Sequence, residues 1–330
     1  RTYTMKLASL KIGGRDGTPV IVSRDMSRMV LATSVVRSVR DAIENWGHSE
    51  PMLRALNNKM EASEVETIPY DPKALASPLP RAFQWADGSA YLSHMRLVRK
   101  ARGAEMPVNS ETEPMLYQGG SDGFLGPVDP IPYVDKDWGL DFEGEISVIT
   151  DDVPMGCSPE QAKSHIKLIM LCNDISLRHV MRPELVKGFG FFQSKPASAF
   201  SPVCVTPDEL GVAWTGGRIN LPLITTYNGN EFGRVDAGKD LSFEFTDLIA
   251  HAARTRDLAA GTIIGSGTVS NENHDEVGSN CLAEKRMIET IRSGEATTRF
   301  MRPGDTIRFE MLNSEGKSIF GAIDQTVVAG

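Results

Sequence analysis

The chain is poor in the features that announce several common classes of protein. Its 330 residues contain four cysteines, Cys157, Cys172, Cys204 and Cys281, and no two of them form a CxxC pair. That spacing argues against a zinc framework or a disulfide scaffold and suits reduced thiols in the cytoplasm. No apolar run is long enough to span a bilayer, and no signal peptide is visible, so no membrane partner is expected. A net charge of -8 and a pI near 5.4 argue against a nucleic-acid partner. Gly265-Ser266-Gly267 lacks the following glycine and helix pattern, so it is no dinucleotide fingerprint. With 41% apolar and 24% charged residues the composition is that of an ordinary globular protein.

What is present centres on Asp141-Phe142-Glu143-Gly144-Glu145-Ile146-Ser147-Val148-Ile149. Phe142, Ile146 and Val148 alternate at period two, which predicts a strand over 141–149 with Glu143 and Glu145 side by side on one face. Two carboxylates so close repel unless water screens them or a cation lies between them. Taken alone, the pair fits a solvated edge. Further along, Leu168-Ile169-Met170-Leu171-Cys172 reads as a buried strand that delivers Asp174 at its end. A buried carboxylate needs a partner. Arg178, four residues on, is one; a metal shared with the two glutamates is the other.

The remaining elements follow from caps and turns. Residues 5–80 read as a small leading domain of short strands, with a helix capped by Ser34 running to about Trp46 and a second short helix near Met52, Leu53 and Leu56. Pro69, Pro72, Pro78 and Pro80 mark an extended linker into residues 81–330. Asp87 stands before a glycine, with His94 seven residues on. Residues 104–114 are loop-like and read as a mobile lid. Ser158-Pro159-Glu160-Gln161 is a capping box opening a helix to near Lys167. Asn228-Gly229 signals a hairpin, and Thr246 stands where a helix to about Arg256 would be capped. Strand signals dominate after residue 80, which predicts a β-rich α+β fold, a mixed β-roll or barrel with flanking helices.

In its ordered set of residues the chain resembles the fumarylacetoacetate hydrolase family. Asp87, Glu143, Glu145 and Asp174 match the four carboxylate metal ligands, His94 the catalytic histidine and Glu284 the glutamate that orients it. Lys195 before Ser201-Pro202 matches the active-site lysine, and Arg178 falls at the family's offset from Asp174, where it would brace that aspartate. Tyr117, Arg102 and Thr268, the last within Ser266-Gly267-Thr268, match substrate-contacting positions, Arg102 one residue off register. The resemblance covers most of residues 80–325. Departures fall where the substrate's acid groups would be held: Ser89, Met181 and Leu185 replace a tyrosine, a glutamine and a tyrosine.

The resemblance implies a homodimer and a metal-dependent hydrolase that cleaves a carbon–carbon bond in a β-diketo acid such as fumarylacetoacetate. Acylpyruvate or fumarylpyruvate hydrolysis, or decarboxylation, isomerisation or hydration of a related keto acid, are the alternatives. Oxygen ligands suit Mg²⁺ or Ca²⁺, with Mn²⁺ a further candidate, rather than zinc. His94 would be the general base, Glu284 would hold its tautomer, and Lys195 would offset negative charge near the metal.

Overall fold

The computed structural model describes residues 4–101 and 103–330. The glutamate-bearing segment lies at the centre of its larger sheet. Gly144–Thr150 pairs antiparallel with Ile166–Asn173 on one side and with Thr262–Gly265 on the other. Gln84–Gly88 then adds parallel to Thr262–Gly265, and Leu116–Gly119 closes that edge antiparallel to it. The register sets Asp87 opposite both Gly265 and Tyr117. Every residue of Gly144–Thr150 is buried, as expected of a strand covered on both faces.

The leading residues join this same sheet. Lys6 pairs with Val205, so Lys6–Leu10, Thr18–Val22 and Arg28–Leu31 continue it outward. Helix Trp46–Glu61 lays Trp46, Leu53 and Met60 on their far face, against Met5, Leu7 and Ile21. A five-stranded sheet of Pro222–Tyr227, Asn230–Asp236, Thr306–Glu310, Ile323–Ala329 and Ile131–Tyr133 packs beside the first. Both large sheets run as open paths, so the β-rich expectation holds, without closure into a barrel among the described residues. The Asn228-Gly229 turn is present, both residues having positive φ (49° and 79°) as a tight hairpin requires. All four cysteines are free and buried. No helix among the described residues is long and apolar enough to cross a membrane.

Several boundaries differ from expectation, each for a local reason. Ser38, not Ser34, caps the first helix, Val39–Glu44: its Oγ accepts the Asp41 N–H at 3.0 Å, while the N–H groups of Val35 and Val36 are spent on the Ala32 carbonyl. The next helix is no short piece but spans Trp46–Glu61, with Pro51 held in its interior. The Ser158 box is formed, yet its helix ends at Ala162, because Ile166 is claimed as the first strand residue by pairing with Thr150. Glu244 rather than Thr246 precedes helix Phe245–Ala252, its N–H bonded to the Asp247 carboxylate at 2.9 Å.

The most consequential difference is a break in the predicted strand over 141–149. Leu140–Asp141 pairs with Ser176–Leu177 in a separate ribbon, and the central strand starts only at Gly144. Between them the Glu143 N–H turns to the Asn173 side chain at 3.2 Å. Glu143 and Glu145 therefore do not stand side by side on one regular face. Gly144 fits this corner because a β-carbon there would lie 2.5 Å from the Phe309 ring.

Candidate active site

One cavity of about 460 Å³ opens at the ends of these strands, with Asp87, His94, Tyr117, Glu143, Glu145, Arg178, Lys195 and Thr268 in its wall. Asp87 and Glu145 of this wall form a cluster with Asp174, each of the three carboxylates offering an oxygen within 4.8 Å of the others. All three side chains are buried. Asp87 Oδ1 accepts the Gly267 N–H at 3.0 Å, and Gly267 holds its position with φ +73°, where a β-carbon would strike the Gly88 carbonyl at 2.1 Å. Asp174 accepts from Tyr117 at 2.7 Å, Lys195 at 2.9 Å and Ser198 at 3.3 Å. Among the described residues, neither oxygen of Glu145 meets an N–H or O–H donor.

Buried like charges this close resist ionisation. Burial first, then the Asp174 charge, pushes Asp87 well above the usual carboxylate range. Burial first, then Asp87 and Asp174, does the same to Glu145. An orphaned buried carboxylate is costly and calls for an explanation. A hard divalent cation supplies one, since it takes oxygen ligands and reverses the repulsion. The three side chains thus fit an Mg²⁺-, Ca²⁺- or Mn²⁺-type ion with coordination left over for water and substrate.

Glu143 lies outside this cluster, although four carboxylates were expected in it. Its Oε1 accepts from Lys195 at 2.6 Å and Ser176 at 3.3 Å, and its Oε2 from Thr268 at 2.9 Å and Arg178 at 3.0 Å. Burial opposes its charge, but Lys195 and Arg178 outweigh that and hold its carboxyl well below the usual range. Lys195 is burial-disfavoured in turn, and the Asp174 and Glu143 charges keep it an ammonium ion. All three of its protons have acceptors, namely Glu143, Asp174 and Ser176 at 2.7 Å.

The expectation that Arg178 braces Asp174 is corrected. Its Nε donates to Asp141 at 2.9 Å and its Nη2 to Glu143. The strand break explains this, because it turns both Asp141 and Glu143 toward the start of helix Arg178–Lys187. Asp141 is a site residue that the sequence reading missed. It is fully buried, and its oxygens also accept the N–H groups of Leu282 at 2.8 Å and Ala283 at 2.9 Å. It therefore ties Arg178 to the N-terminus of helix Leu282–Ser293, where a negative charge is favoured. Its position two residues before Glu143 was the available signal.

That helix carries Glu284. Although 190 residues apart in sequence, His94 Nδ1 and Glu284 Oε2 meet at 2.8 Å. Glu284 is wholly buried, whereas 22% of the His94 side chain remains exposed, in the cavity wall. Ser270 and Ser279 each donate to Glu284 Oε1 at 3.2 Å, fixing the carboxylate. Serine hydroxyls follow no spacing rule, so nothing in the sequence marked them. With Nδ1 engaged, His94 has Nε2 free for exchange of a proton with a bound molecule.

Of the residues expected to contact substrate, Tyr117 faces the cavity while its hydroxyl serves Asp174. Thr268 faces it while bonding Glu143. Arg102 lies outside the described residues.

A buried carboxylate triad and a carboxylate–histidine pair thus lie at one cavity on a mixed-sheet scaffold, an arrangement suited to a metal ion beside an acid–base group. The family model for fumarylacetoacetate (FAA) hydrolase C-terminal matches residues 84–328, and that for fumarylacetoacetase N-terminal domain 2 matches residues 5–81. The chain belongs to the fumarylacetoacetate hydrolase family. A 2,4-didehydro-3-deoxy-L-rhamnonate hydrolase of Sphingomonas sp. (strain SKA58) is 26% identical over 162 residues, 48% of this chain and 53% of that relative, so the match spans about half its length. A fumarylacetoacetate hydrolase from Exiguobacterium antarcticum superposes with a TM-score of 0.69 at 18% identity, over 99% of this chain and 100% of the other. Maleylpyruvate hydrolase from Sphingobium sp. SYK-6, in complex with manganese(II) and pyruvate, gives 0.67 at 16% identity over the same shares, 99% and 100%. At these identities the likeness is one of fold.

Proposed function

We propose that the protein is a divalent-metal-dependent hydrolase that cleaves the carbon–carbon bond of a β-diketo acid. The observation that carries this reading is the His94–Glu284 pair, 2.8 Å apart and set in the same cavity as the Asp87, Glu145 and Asp174 cluster. A water-activating dyad has an evident use in hydrolysis and a less evident one in decarboxylation. The manganese(II) and pyruvate bound by the Sphingobium relative agree with a keto-acid head beside a metal.

In this reading His94 Nε2 takes a proton from water as the new oxygen–carbon bond forms at the acyl carbonyl. The carbon–carbon bond then breaks, its electron pair passing to the neighbouring methylene as an enolate. The imidazolium returns the proton to that carbon, leaving a carboxylate and a methyl ketone. Glu284 keeps the ring in one tautomer and stabilises its charged form. The cation would supply Lewis-acid polarisation of the keto oxygens. Lys195 and Arg178 hold Glu143 ionised beside the cluster, so Glu143 contributes negative field without taking up a proton. Residues 5–80 act as a supporting unit and residues 104–114 as a lid.

The test is a panel of acylpyruvates and fumarylacetoacetate, with Mn²⁺, Mg²⁺ or chelator. Metal-dependent release of two fragments from one of them supports the reading; metal-independent turnover, or none on any diketo acid, refutes it.

A further inference from the structure

The cavity has two chemically distinct halves. One carries the carboxylates, Lys195 and His94. The other is walled by helices Leu92–Ala101, Arg178–Lys187 and Leu282–Ser293. On the second of these, Arg178, Met181, Arg182 and Leu185 recur at helical spacing and all line the cavity. Val98, Met287 and Phe300 complete an apolar wall with Met181, Leu185 and Phe191. Leu185 is 45% exposed, an apolar side chain with little covering it.

The polar groups on this side are largely spent within the chain. Arg286 donates to the Thr298 carbonyl and stands over the Phe300 ring, its Cζ 4.5 Å from the centroid. Thr290 Oγ1 is bonded to the Arg286 carbonyl at 2.8 Å and His179 Nδ1 to that of Asp137 at 2.9 Å. Arg182, exposed, and Arg99, half-buried, also line the cavity; cations open to water hold an anion weakly.

Resting on the proposed diketo-acid hydrolysis, we infer that the substrate's acyl tail is apolar, an alkyl or aryl group, and that Met181 and Leu185 select it. A hydroxylated tail would leave its hydroxyls facing methionine, leucine and phenylalanine, with few free partners among the described residues. A carboxylate-ended tail would bring its charge against the same apolar side chains, offset only weakly by the solvated Arg99 and Arg182. The desolvation cost falls on both, whereas an alkyl tail gains with each methylene buried.

Tail preference is measured with acylpyruvates of matched length ending in methyl, phenyl, carboxylate or a polyol. Binding is read by calorimetry on Mn²⁺-loaded His94→Ala protein, and cleavage on the unaltered protein. The inference predicts affinity rising roughly fourfold per methylene in the alkyl series, and at least tenfold tighter binding of alkyl and aryl tails than of the charged or hydroxylated ones. Leu185→Gln and Met181→Gln should shrink that ratio by about tenfold; Leu185 is exposed, so its replacement leaves the core intact. Tighter binding of the carboxylate or polyol tail overturns the inference, as does a ratio unmoved by either variant. Alkyl-selective binding without cleavage of any compound sustains the tail inference and refutes the reaction instead.

Discussion

His94 Nδ1 and Glu284 Oε2 lie 2.8 Å apart, joining helix Leu92–Ala101 to helix Leu282–Ser293. Removing either should disable the same event. His94→Ala should lower kcat roughly 10²- to 10⁴-fold, the range for loss of a positioned general base. Glu284→Gln should also lower kcat, and the double variant should be little worse than His94→Ala alone, since residues acting as one unit are not additive. Mn²⁺ affinity should barely change. Additive losses in steady-state kinetics would break the dyad.

The metal cluster and Glu143 are separable by calorimetry. Glu145→Gln and Asp174→Asn each remove a charge from the three-carboxylate cluster and should abolish Mn²⁺ binding while the fold survives. Glu143→Gln should leave measurable affinity, because its four contacts are to Lys195, Ser176, Arg178 and Thr268. Loss of affinity in Glu143→Gln equal to that in Asp174→Asn would place Glu143 among the ligands after all.

Much of this site was legible because its residues sit at strand ends and caps. The apolar run before Asp174 and the glycine after Asp87 marked where strands stop, and the structure places both carboxylates in one cluster. The roles of Glu143 and Asp141 were not legible. Period-two alternation puts Glu143 beside Glu145, but the break after Asp141 depends on pairing with Ser176–Leu177 and on the Asn173 side chain, both distant in sequence. The Ser38 cap was missed for a related reason: Ser34 and Ser38 are chemically alike, and only the turn at Ala32 decides between them.

Asp141→Asn tests the link between Arg178 and the start of helix Leu282–Ser293. An amide keeps one acceptor but presents NH₂ toward an N–H or toward Arg178, leaving that buried arginine with one carboxylate fewer. Breaking a buried pair costs about 3–5 kcal/mol. Denaturant unfolding should show a loss of that order, and the pH–rate profile of the folded variant should shift because helix Leu282–Ser293 carries Glu284. A loss below about 1 kcal/mol with an unshifted profile would contradict the anchoring role.

The stability gained from metal should depend on pH with a defined sign. Asp87, Glu145 and Asp174 have folded-state pKa values raised above the ordinary 3.8 and 4.5, burial being the first cause for each. Without a cation their contribution is fully present below those ordinary values and is lost as pH rises through the raised ones. Glu143, held low, acts oppositely, and only below the ordinary range. The Tm increase on adding Mn²⁺ should therefore grow as pH rises from the ordinary carboxylate range through the raised values, as the ion displaces protons from the cluster. A Tm gain that is flat or falls over that interval would count against protonated carboxylates in the metal-free protein.

Hydrolytic carbon–carbon cleavage leaves an isotopic signature. An alkyl acylpyruvate turned over in ¹⁸O-water with Mn²⁺ is analysed by mass spectrometry. The account predicts pyruvate and a carboxylic acid in equal amounts, with one ¹⁸O in the carboxylic acid from the attacking water. Release of CO₂, or a product of unchanged mass, would contradict it.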